Sequence, residues 1–162
     1  MGPGQPNAWE LSNAQALGVS IAQHGWVLLT GGRAAGVMDA ASRSARQAGG
    51  TVVGILPGDD AAEASEFVDI AIITDMGSAR NNINVLSSDV VIACGMGPGT
   101  ASEVALALKA GKSVILLTDH EESKRFFSVL KPGSVLLAET AAEAIELAKG
   151  LLEKQLQKNN VQ

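Results

Sequence analysis

The chain has 162 residues but only one cysteine, two histidines and no tyrosine, with aromatic residues at 3%. A single cysteine excludes an intramolecular disulfide and a thiolate cage, and His24 and His120 lie far apart with no ligand spacing around them. No resident metal is expected. So few aromatics leave no stacking platform for single-stranded bases, and no run of Lys or Arg is present to track a phosphate backbone. Basic residues number 12 against 17 acidic ones, a formal charge of -5, so nucleic acid is not an expected partner. There is no apolar run of transmembrane length and no basic stretch followed by an apolar one at the amino end, so a cytoplasmic, membrane-free protein is expected. Gly2 does not complete a myristoylation motif, because Pro6 stands where Ser or Thr is needed.

What is abundant is apolar residues, at 46%, and glycine, with 18 copies. This is enough to build one packed domain, expected over residues 1–157, with 158–162 as a frayed tail. The run Trp26 to Thr30 is continuously apolar and stops at Gly31-Gly32, as expected for a strand buried on both faces. Similar runs cover Thr51 to Leu56, Val68 to Ile73, Asp89 to Cys94 and Ser113 to Leu117, with a weaker one at Ser134 to Leu137. Helical periodicity covers Ala8 to His24, Ala34 to Ala48, Ala79 to Ser87, Thr100 to Ala110, Glu121 to Leu130 and Thr140 to Gln157. Alternating strands and helices imply right-handed crossovers around one parallel sheet. The fold class is α/β, doubly wound and Rossmann-like, in three α/β/α layers.

In such a fold, ligands sit beyond the carboxyl ends of the strands. Two of those ends are glycine-rich: Thr30-Gly31-Gly32-Arg33 and Cys94-Gly95-Met96-Gly97-Pro98-Gly99-Thr100. Glycine lets backbone N–H groups crowd around an anion, and a following helix adds unpaired donors. Either loop alone is equally well read as a tight turn, but two in one small domain favour a phosphate site. Met-Gly-Pro-Gly also occurs twice, at Met1 to Gly4 and Met96 to Gly99, each time before a helical segment. The second copy follows a strand. By analogy the first strand of the sheet is expected either to lie upstream of Met1 or to be lost.

Several side chains join these loops. Arg80, just beyond the third apolar run, is placed to grip an acidic group through a bidentate guanidinium, with a surface helix arginine as the plain alternative. Arg33 invites the same reading more weakly. Thr100 either caps its helix or donates to a phosphate oxygen. Glu103 either closes a capping box onto Thr100 or faces the pocket, where a carboxylate activates water or receives a ligand hydroxyl. Cys94 reads as a small buried hydrophobe, Asp39, Asp59 and Asp60 as solvated acids, and Leu147 to Leu156 as a packing helix.

Taken together, Gly31-Gly32-Arg33, Gly36-Val37-Met38-Asp39, Arg80 and Gly97-Pro98-Gly99-Thr100-Ala101-Ser102-Glu103 resemble the LOG-like (SLOG) superfamily once labelled "possible lysine decarboxylases". Within it, His24 to Arg33 and Ser78 to Ser88 look most like the molybdenum cofactor carrier proteins. The match runs from Met1 to about Leu137. The resemblance implies a protein that binds, protects and passes on molybdenum cofactor, a phosphorylated pterin dithiolene, for molybdoenzymes or cofactor-synthesis proteins, with no catalytic residue. It implies that the backbone from Gly97 to Thr100 holds the phosphate. Arg33, Ser78, Arg80 and Asn81, beside Gly31 and Gly32, would meet the phosphate or the pterin and metal end. It also implies a homodimer or homotetramer, whose interface the sparing use of charge in the helices from Arg80 onward permits. The same resemblance carries a second branch, hydrolysis of the N-glycosidic bond of nucleoside 5′-monophosphates by Arg80 and Glu103. Gly95-Met96-Gly97 in place of Pro-Gly-Gly, and Asn81 where a basic residue is often found, depart from that branch. A nucleotide-sensing module without turnover is a third reading.

Overall fold

A computed structural model describes residues 1–159. Six strands and six helices follow one another as α1 (Ala8–Gln23), β1 (Val27–Thr30), α2 (Gly36–Gln47), β2 (Thr51–Leu56) and β3 (Ile70–Ile73). After a 3-10 turn at Gly77–Arg80 come α3 (Asn81–Ser87), β4 (Val91–Cys94), α4 (Pro98–Lys109), β5 (Val114–Leu117), α5 (Glu121–Leu130), β6 (Val135–Ala138) and α6 (Ala141–Asn159). All strand pairs are parallel. The α/β, Rossmann-like class stands, with two departures in detail.

First, the strands form two three-stranded sheets, β1-β2-β3 and β4-β5-β6, rather than one. β1 and β4 face each other across a seam, which Met1 enters. The Met1 amino group donates to Ile92 O at 2.9 Å, and Cys94 N–H donates to Met1 O at 2.9 Å. Second, β3 was expected to be buried on both faces, yet all four of its residues are exposed. It is a sheet edge, and no helix separates it from β2 in sequence to cover it. The expected helix Ala79 to Ser87 is split by the 3-10 turn. Residues 158 and 159 belong to α6 rather than to a frayed tail, and 160–162 lie outside the described residues.

Local sequence explains the helix starts. Asn7 caps α1 reciprocally: its side chain accepts from Glu10 N–H at 2.9 Å, and Glu10 Oε2 accepts from Asn7 N–H at 2.8 Å. Pro98 occupies the first position of α4, where its missing N–H costs nothing and its φ is already helical. Alternation then divides the core. Ile115 and Leu117 of β5 pack with Leu28, Val52, Cys94 and the small faces of α1, α2 and α6. Val114 and Leu116 point the other way, onto Val85, Val104, Leu108 and Phe127 of α3, α4 and α5. No described helix is long and apolar enough to cross a membrane.

Candidate functional site

The carboxyl ends of β1, β3 and β4 come together with the amino-terminal Met1 to Gln5 around one cavity of about 750 Å³. Every residue that the sequence assigned to cofactor binding lines it except Gly32, and Glu103 lines it too. Gly32 stands behind the wall instead, with φ 73° and its N–H donating to Thr30 Oγ1 at 3.0 Å, turning the chain across β2.

Arg80 is the most unusual side chain here. It is 8% exposed, it makes no ion pair among the described residues, and its buried Nε has no hydrogen-bond partner. Gly31 makes room for it, since a Cβ there would stand 2.5 Å from Arg80 Nη1 and 2.6 Å from Nη2. Gly31 is thus a clearance for a guanidinium as well as part of a turn. Burial pulls the Arg80 pKa down, nearby Glu103 opposes this, and Arg33 adds to it. The group stays charged, because a guanidinium starts so far above neutrality. A buried cation with no ion-pair contact is costly, and an anion in the cavity lowers that cost.

On the opposite wall α4 begins. Its N-cap is Gly97, which offers no side-chain cap, and the first backbone bond is Ala101 N–H to Gly97 O at 2.8 Å. The N–H groups of Gly99 and Thr100 therefore have no partner within the helix. Thr100 is one turn inside, 2% exposed, and its buried Oγ1 has no partner either. It is not the cap. Nor does Glu103 close a capping box onto it: Glu103 is buried, and its Oε1 accepts from Asn84 Nδ2 at 3.0 Å. Asn81 points at the same turn, donating to Ser102 Oγ at 2.9 Å, while Ser102 Oγ donates to Gly99 O at 2.9 Å. Through this relay Asn81 fixes the backbone of Gly99.

Ser78, in the 3-10 turn, and Arg33 lie at the rim. Arg33 is half exposed, and its Nε meets Glu63 Oε2 at 3.0 Å. Cys94 is buried under α1, and burial pushes its thiol up to about 11, which fits a packing role. Asp39 is held by Ser65 Oγ at 2.7 Å and is structural. Among the described residues no cluster of three His, Cys, Asp or Glu is arranged to hold a metal.

Sequence reasoning missed Asn84, which carries no motif, and left the Met1 to Gln5 loop out of the site. A signal for the loop existed in the repeated Met-Gly-Pro-Gly. The two copies face each other: a Cβ on Gly97 would stand 3.5 Å from Pro3 Cβ, and Pro3 O accepts Val37 N–H at 3.1 Å.

The chain and its fold are matched in known proteins. The SLOG cluster4 family model aligns with residues 1–145. The chain belongs to the SLOG cluster4 family. A curated relative, an uncharacterized protein of Archaeoglobus fulgidus, is 50% identical over 64% of this SLOG cluster4 chain and 68% of its own length. Among solved structures, the molybdenum cofactor binding protein of the phototrophic bacterium Rippkaea orientalis is 55% identical, with a TM-score of 0.93 over 94% of both chains. The molybdenum cofactor carrier protein of Chlamydomonas reinhardtii is 53% identical, with a TM-score of 0.87 over 94% of this chain and 95% of its own.

Proposed function

We infer that this SLOG cluster4 protein binds molybdenum cofactor and carries it, without a chemical step of its own. Identity above 50% to cofactor-binding and carrier proteins over nearly the whole chain supports this. The observation that carries the site assignment is the pair of orphaned buried groups, Arg80 Nε and Thr100 Oγ1, on walls of one cavity. With the free N–H groups of Gly99 and Thr100 they offer a positive charge and converging donors, the complement of a phosphate. Gly97, Pro98 and Gly99 bring the backbone close, Asn81 sets it, and Gly31 keeps the path of Arg80 open. Arg33 and Ser78, at the rim, suit the pterin and metal end. The dithiolene supplies the metal's sulfur ligands, so the chain needs none. The cargo is then handed to a molybdoenzyme or received from a cofactor-synthesis protein.

Equilibrium binding of molybdenum cofactor to the pure protein tests this, run beside release of free base from AMP. Saturable binding with no base released is expected, and Arg80→Ala should weaken it by about 10- to 100-fold, the loss of a charge-assisted contact. Unchanged affinity would remove Arg80 from the site. Buried Glu103 at the cavity wall favours a second reading, the phosphoribohydrolase, in which that carboxylate activates water beside Arg80. Under that reading base is released and Glu103→Gln abolishes release while leaving nucleotide binding intact. Under the carrier reading the same variant retains the cofactor.

The protein is further proposed to work as a homo-oligomer. Val27 and Leu29 of β1, Val53 of β2, and Ile70 and Ile72 of β3 share one sheet face by register. On it Val27, Ile70 and Ile72 are 58%, 52% and 43% exposed. Parallel strands are otherwise buried on both faces. None of β1, β2 and β3 carries a charge, so a second copy can approach about a two-fold axis without like charges meeting. β3 also lacks the Lys or Pro that guards a free edge. These exposures favour a contact on the sheet over one on the helices beyond Arg80.

A further inference from the structure

The methionines of this chain are not spread through its core. There are four, and none is among the buried residues of either core cluster. Met1, Met38 and Met96 line the cavity that holds Arg80, and Met76 directly precedes Gly77, which lines it as well. Leucine fills space as well as methionine does. What a thioether adds at a cavity wall is polarisability and a sulfur that can take up oxygen.

Met38 stands where that difference matters. It is half-buried in the first turn of α2. A Cβ on Gly31 would stand 2.8 Å from Met38 Sδ, and the same point lies 2.5 Å from Arg80 Nη1 and 2.6 Å from Nη2. Sulfur and guanidinium are therefore neighbours around one spot that only a glycine leaves open. A thioether is a weak acceptor, so as it stands Met38 gives the guanidinium little. Arg80 is 8% exposed and its Nε has no partner, which leaves its charge to be met by an anion in the cavity.

We propose that Met38 is an oxidation site whose sulfoxide competes with the anionic ligand for Arg80; this rests on the assignment of Arg80 to the anion site. The oxidant is a hydroperoxide, and hydrogen peroxide is small enough to enter through the cavity. Its O–O bond breaks, one oxygen bonds to Met38 Sδ, and the other leaves as water. Sulfur gives up two electrons and peroxide takes them. The new oxygen is a polar acceptor one bond away from a sulfur already beside Arg80. It accepts from the guanidinium and puts partial negative charge where a ligand oxygen would come. Oxidation thus loosens the hold on the ligand. Reduction restores it, since a sulfoxide reductase returns the thioether while a dithiol becomes a disulfide and the oxygen leaves as water. Met76, 48% exposed, reacts in solvent and reports that oxidant was delivered.

The experiment treats the pure, cargo-free chain with hydrogen peroxide, removes the peroxide, and locates sulfoxides by peptide mass spectrometry. Binding of inorganic phosphate is then measured by calorimetry. The untreated chain should bind phosphate, and oxidation should weaken binding by at least about 10-fold, the loss of a charge-assisted contact, with a sulfoxide found at Met38. Met38→Leu should keep its affinity after the same treatment although Met76 is oxidised. Met38→Gln, whose amide oxygen reaches the same place, should bind weakly without any peroxide. Sulfoxide reductase should restore the oxidised chain. The proposal is overturned, with the carrier reading left standing, by an equal loss in treated Met38→Leu, by unchanged affinity once Met38 is oxidised, or by a Met38 that stays a thioether while Met76 reacts. A loss that reduction does not reverse overturns it too. An untreated chain that does not bind phosphate instead overturns the assignment of Arg80, and this proposal with it.

Discussion

The two half-sheets are made of equally apolar, uncharged strands, yet they are covered differently. In β5, Ile115 and Leu117 pack under α1, α2 and α6, while Val114 and Leu116 pack under α3, α4 and α5, and all four are fully buried. In β1, only the face of Leu28 and Thr30 is buried, and Val27 on the other face is more than half exposed. Helix-bearing crossovers account for the difference. β4 to β5 and β5 to β6 each carry a helix, whereas β2 to β3 is a loop and α3 packs on α4 rather than across β1 and β2. One half of the protein completes its own core. The other leaves apolar side chains of one face exposed.

The largest expected effect tests that contrast directly. Leu116→Ala should cost about 2–5 kcal/mol of folding stability, since a fully buried side chain is deleted between two layers. Ile72→Ala, a similar deletion on the exposed face, should cost the isolated chain no more than about 0.5 kcal/mol. Denaturant midpoints of the two variants at low protein concentration measure both, and equal losses would mean that the first half-sheet is covered within the chain after all.

The same contrast explains what the sequence could reveal. Apolar runs located all six strands, and glycine after two of them marked the turns into α2 and α4, because a buried parallel strand and a strand-to-helix turn each leave a local mark. The split of the sheet and the exposure of Ile70 to Ile73 left none, since an apolar run looks the same whether its cover comes from this chain or another. Within the site, glycine-rich loops and Arg80 were legible. Asn84 was not, because its role exists only through Glu103, 19 residues away in sequence. Of the two readings of Thr100, the cap failed for a local reason: Pro98 begins the helix earlier, moving Thr100 from the cap into the first turn.

A second test sharpens the comparison without touching either core. Ile72→Lys places a charge on the exposed face, and in a two-fold contact it meets its own copy or is buried unpaired. Association measured by sedimentation should weaken by at least about 10-fold, with the circular dichroism of the single chain unchanged. Association that survives would move the contact elsewhere, with the exposed Phe126, Val129 and Leu130 of α5 as the next surface to examine.

The smallest effect concerns Cys94, at the carboxyl end of β4 on the face turned to α1. Its thiol is pushed from 9.0 up to about 11, chiefly by burial, so the folded state favours the neutral form. The stability this contributes is fully present below pH about 9 and is lost as pH rises from there through about 11. At pH 8 the folded chain should therefore resist a thiol reagent, and the slow labelling that remains reports opening of the structure. If Cys94 is released only when the whole core opens, Leu116→Ala should speed its labelling by the full factor of its destabilisation. If instead the seam between β1 and β4 opens by itself, Leu116→Ala should leave the rate unchanged, and the less completed half of the sheet would be the one that moves.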